Sequence, residues 1–155
     1  MQTRLNPRKV APAAMKALGA LESHVQASGL EKSLIELVKI RASQINGCAF
    51  CLHMHTQDAR AGGESEKRIY LLNAWQESGL YSARERAALA WTEAVTLIAN
   101  NHAPDDVYDE ARQNFSDAEL VELTLLIATI NAWNRMAISF RSVHPAEART
   151  TAGVE

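Results

Sequence analysis

The sequence is short of the features that mark several specialised classes of protein. Two cysteines in 155 residues are too few for a disulfide scaffold, and a chain of this length buries a hydrophobic core without covalent staples. Basic excess is missing: 16 Lys and Arg stand against 18 Asp and Glu, a formal net charge of -2, so no nucleic-acid partner is expected. No stretch approaches the ~20 consecutive apolar residues that cross a bilayer. The opening MQTRLNPRKV also lacks the apolar run of a secretory signal. No membrane partner is expected, and the cytoplasm is the expected compartment. Thiols there stay reduced unless a reaction oxidises them, which turns attention to what the two cysteines do.

Alternating strand patterns are absent as well, and helical periodicity runs through the chain. Met15, Leu18, Leu21 and Val25 recur at helical spacing before Ser28-Gly29 closes the segment. A second helix is expected from about Glu31 to Ser43. A third should open at Asn46-Gly47, carry both cysteines and stop at Gly62-Gly63; a fourth should run from Ser65 to about Gln76. Ser82 with Glu85, and Ser116 with Glu119, are capping boxes that open helices to about Asn100 and about Val143. Between them Pro104 suits the first position of a helix to Asn114. The expected fold class is all-α, a bundle of about six or seven helices in one domain spanning 1–155. Its core lies at about 31–143, and 145–155 forms a loose polar tail.

The stretch Asn46 to His55 reads NGCAFCLHMH. With Asn46 or Gly47 as the cap, Cys48 and Cys51 fall in the first turn of the third helix, and His55 follows Cys51 by four residues on the same face. His53 points elsewhere. Helix N-termini favour thiolate over thiol, and cysteines three apart can approach to bonding distance. A c-type haem attachment needs histidine directly after the second cysteine, where this chain has Leu52. Zinc could take Cys48, Cys51 and His55, but a closed site needs a fourth ligand and no further cysteine exists. A redox dithiol, a zinc site and a pair of small buried residues all stay open on these residues alone. In the second helix, Glu36 stands among Leu34, Ile35, Leu37, Val38 and Ile40. Either it pairs with Lys39 or Arg41, or it is simply exposed on a narrow polar strip, or it packs beside the cysteine helix and joins His55 in moving a proton.

Glu36, eleven residues, Cys48-Ala49-Phe50-Cys51, three residues, then His55 resembles the signature of the AhpD-like alkylhydroperoxidases of the carboxymuconolactone decarboxylase superfamily. The ERAALAWTEAVT segment (85–96) and the NAWNR segment (131–135) are similar too. The resemblance implies an AhpD-like helical fold, a homo-oligomer (trimer or hexamer), and reduction of a peroxide substrate without cofactor or metal. It also implies an external dithiol or disulfide reductase as electron donor. Cys51 would attack the peroxide, Cys48 would resolve the product to a disulfide, and Glu36 and His55 would relay the proton. Some AhpD members have histidine before the second cysteine; Phe50 stands there here, which favours a relative of AhpD over AhpD itself. The decarboxylase branch lacks the cysteine pair.

Elsewhere, Trp91 and Trp133 are expected in the core or at an interface. Asn131, Asn134 and Arg135 interrupt an apolar run and are expected to serve buried hydrogen bonding or subunit contact. His24, His102 and His144 have no partner legible in the sequence.

Overall fold

The computed structural model describes residues 2–144, and the expected tail at 145–155 lies outside them. Among the described residues the fold is all-α, with no strand. The helices are α1 (Pro7–Val10), α2 (Pro12–Gln26), α3 (Lys32–Asn46), α4 (Ala49–Ala61), α5 (Glu66–Leu71), α6 (Ala83–Thr96), α7 (Ile98–Asn101), α8 (Asp105–Asn114) and α9 (Asp117–Phe140). A 3-10 segment, Leu72–Glu77, continues from α5.

The central element is α3. Leu34, Ile35, Leu37, Val38, Ile40 and Ala42 are all buried, and they look in several directions around the axis, so α3 must be covered on several sides. It packs against α4, α6 and α9. One face joins α2, α6 and α9 through Val25, Ala88 and Ile127; another meets Ile69, Leu72, Trp75 and Leu89.

The differences from the expected elements have local causes. Gly47 sits at φ +68° and closes α3, with its N–H and that of Cys48 donating back to Gln44 and Ser43 carbonyls. This left-handed position is cheap only for glycine. Asn46-Gly47 is therefore the end of α3 and not the opening of α4, which is capped by Cys48 itself. At the far end, α9 stops at Phe140, where Arg141 turns left-handed at φ 54°, three residues before the expected Val143. Leu97 leaves helical geometry and separates α6 from α7, after the β-branched pair Val95-Thr96. Pro104 caps α8 without entering it. The short α1 was not expected, although Asn6 accepting from the N–H groups of Arg8 and Lys9, with proline next, is a legible start signal.

Candidate active site

The turn at Gly47 brings Cys48 to the cap of α4, where its sulfur accepts from the Cys51 N–H at 3.3 Å. Cys51 thus lies in the first turn, near unpaired N–H groups and the positive end of the helix dipole. The two cysteines are joined in a disulfide with Cα atoms 5.4 Å apart. Both are buried, at 1% and 2% exposure, against Ala137 of α9 and Phe50. Behind them, α3 is clamped to α9 by amides. Asn46 donates to Asn131 Oδ1 at 3.0 Å and to Asn134 Oδ1 at 2.8 Å, and Asn134 donates to Ser43 Oγ at 3.0 Å. The asparagines of α9 therefore serve buried hydrogen bonding within the chain, and they hold the end of α3 from which the cysteine turn springs.

Glu36 has one choice of partner settled by geometry. Lys39 is paired with Glu22, and Arg41 with Glu93 at 2.9 Å, so neither takes Glu36. Instead His55 Nδ1 donates to Glu36 Oε2 at 2.9 Å. A carboxylate only accepts, so the proton is on Nδ1 and Nε2 is the ring nitrogen able to take another. His55 is 6% exposed.

Cys51, His55 and Glu36 line one cavity of about 610 Å³. Phe50, Met54 and Asp58 of α4 continue the wall, Trp133 and Met136 of α9 face it, and α2 adds Met15 and Glu22. Thr3, Leu5, Asn6, Pro7 and Arg8 line it too, in a segment tied to α9 by Arg4, whose N–H donates to the Phe140 carbonyl at 3.1 Å. Cys48 is not among the lining residues, so of the two cysteines it is Cys51 that borders the cavity. His53 is outside as well and stacks on His144 at 4.9 Å. Trp133 donates to Glu22 at 3.1 Å, whereas Trp91 donates to Thr124 and lines a different concavity. His24, without a legible partner in the sequence, pairs with Glu122 at 3.1 Å.

Sequence reasoning missed Asp58, Lys39 as a cavity residue, and Glu22. Asp58 could have been found, since it follows His55 by three residues on the same helix face. Its oxygen, one from Glu36 and a His55 nitrogen lie within 4.8 Å of one another. That set could offer a divalent cation one nitrogen and two carboxylates, but exposed Asp58 would have to close in to reach the ~2.0–2.2 Å of metal–ligand bonds.

Residues 12–94 match the sequence profile of the carboxymuconolactone decarboxylase family. The chain belongs to this family. Among its relatives, the uncharacterised protein YdfG of Bacillus subtilis is 44% identical over 139 residues, covering 90% of this chain and 95% of YdfG. A solved structure from Agrobacterium tumefaciens, of a protein of unknown function proposed as the antioxidant defence protein AhpD, superposes with a TM-score of 0.92. It is 52% identical and covers 94% of this chain and 100% of that one. The debrominase Bmp8 is similar at a TM-score of 0.76 and 22% identity, over 87% of this chain and 73% of Bmp8, a likeness of fold alone. The chain is thus an AhpD-like member of the family.

Proposed function

We propose that this protein is a cysteine-based hydroperoxide reductase. The observation that carries the reading is the position of Cys51, bonded to Cys48 behind it and bordering a cavity whose wall also holds the His55–Glu36 pair. In the reduced state His55 takes the Cys51 proton, and the helix N-terminus stabilises the thiolate. The thiolate sulfur attacks the O–O bond. The far oxygen leaves as an alkoxide, receives the proton from His55 and departs as the alcohol, and Cys51 becomes a sulfenic acid. Cys48 then attacks the Cys51 sulfur, the S–O bond breaks, water leaves and the disulfide forms. An external dithiol, or a disulfide reductase, returns two electrons and two protons.

The second reading is a redox switch, in which the Cys48–Cys51 disulfide alters partner binding and no catalysis follows. Lactone decarboxylation, known elsewhere in the superfamily, gives the cysteine pair no role. Hydroperoxide consumption against a panel of electron donors separates the readings. A reductase consumes many equivalents with at least one dithiol donor, whereas a switch consumes one and stops.

We also propose a homo-oligomer, trimer or hexamer, working in the cytoplasm. No helix among the described residues is long and apolar enough to cross a membrane. Much of the apolar surface of α9 is covered within the chain, by burial of Leu120, Leu123, Leu126, Ile127 and Ile130, but Val121 and Ile138 on α9, Tyr70 on α5 and Ile98 on α7 remain exposed. Sedimentation at micromolar concentration should return a multiple of 17.0 kDa; a monomer would contradict the assembly.

A further inference from the structure

Lys39 is a buried ammonium on the wall of the cavity, 1% exposed. Taking such a group out of water costs several kcal/mol unless pairing and hydrogen bonds compensate. Among the described residues its one protein hydrogen-bond partner is Glu22. An ammonium has three N–H donors, so two are left without a protein acceptor on a side chain that lines a cavity. Glu22, by contrast, is well supplied: it also accepts from Gln26 at 3.0 Å and from Trp133 at 3.1 Å. Burial alone would raise its pKa, but the bonds from Lys39, Gln26 and Trp133 and the charge of Lys39 outweigh burial and hold it below the ordinary carboxylate range. Glu22 is therefore held as a fixed carboxylate partner, with donor capacity to spare on the lysine.

Position and surroundings define what could use those donors. Lys39 follows Glu36 by three residues on α3, which places the two on one face with Cβ atoms about 5–6 Å apart. Glu36 holds His55, and His55 shares its wall with Cys51. Much of the remaining lining is apolar, and it includes every methionine after Met1: Met15, Met54 and Met136. Flexible thioethers adapt to varied apolar shapes. The other charged side chains lining the cavity are Arg8, Glu22, Glu36 and Asp58, so the wall has no positive excess that would draw an anion.

We propose that Lys39 determines specificity by donating hydrogen bonds to a carbonyl-type oxygen of a neutral, largely apolar organic substrate. That oxygen and the reducible group held at Cys51 share the one cavity that both residues line. The inference names the substrate class for the site described above and rests on that reading for what happens at Cys51.

A binding experiment tests it without turnover. Acetophenone and alpha-methylstyrene have nearly the same shape, and the second replaces the carbonyl oxygen by a methylene. Titrated calorimetrically into the disulfide form, acetophenone should bind more tightly, although the alkene is the more hydrophobic of the two. In Lys39→Met/Glu22→Gln, which removes the lysine without stranding a half-buried carboxylate, the ratio of the two dissociation constants should fall by about tenfold or more, the loss expected for a hydrogen bond from a charged donor. Tighter binding of the alkene by the unmodified protein would overturn the proposal, and that comparison needs no variant to fold. So would an unchanged ratio in the double variant. Failure to reduce any hydroperoxide would refute the reductase without altering these ratios, and unfavourable ratios would refute the role of Lys39 without altering turnover.

Discussion

Replacing Cys51 by serine is expected to abolish hydroperoxide reduction, and replacing Cys48 by serine is expected to leave one oxidation followed by arrest. The asymmetry follows from the cavity, which Cys51 borders and Cys48 does not. A serine hydroxyl at position 51 stays protonated at neutral pH and is a weak nucleophile even beside a base. The rate should fall on the order of 10³-fold or more, as when the nucleophile of a catalytic unit is removed. In Cys48→Ser, Cys51 still reacts with the first equivalent, but no neighbouring thiol remains to expel water from the sulfenic acid. Steady turnover with a dithiol donor should drop sharply while the first oxidation keeps its speed. Rapid mixing of the reduced proteins with one equivalent of hydroperoxide reads both quantities.

The second large effect concerns the 2.9 Å bond between His55 and Glu36. Glu36→Gln keeps shape and hydrogen-bonding capacity but removes the charge that orients the ring. Hydroperoxide reduction should fall by roughly 10²-fold, the low end for general acid–base catalysis. His55→Asn should cost a similar factor. The double variant should lose little more than either single one, because groups that act as a unit are not additive. If the pair only tied α3 to α4, each change would lower the melting temperature with turnover nearly intact. Measuring both on Glu36→Gln separates the accounts, and normal turnover would return Glu36 to a structural role.

The helical periodicity and both capping boxes were legible because they are local: Ser82 with Glu85 and Ser116 with Glu119 open α6 and α9 as their spacing predicts. The approach of Glu36 to His55 was legible for a different reason. A carboxylate surrounded by five apolar neighbours must find a partner, and its own helix offered two cations as rivals. What decided between them was non-local, since Lys39 and Arg41 are taken by Glu22 and Glu93 from α2 and α6. The pairing of Lys39 with Glu22 across 17 residues has no periodic signature, so the most deeply buried charge of the site was invisible in the chain. The turn at Asn46-Gly47 reads either way in the sequence, because Asn-Gly serves equally as a helix start and a helix stop. Only the left-handed φ of Gly47 and the bonding of Asn46 to Asn131 and Asn134 distinguish the two.

The central claim is that Cys51 attacks the hydroperoxide and Cys48 resolves it. Its most direct test is mass spectrometry with a sulfenic-acid trap on the two single-serine variants, each reduced and then given one equivalent of hydroperoxide. Trapping on Cys51 in Cys48→Ser, with little reaction in Cys51→Ser, is the predicted result. Trapping on Cys48 in Cys51→Ser at a comparable rate would contradict it.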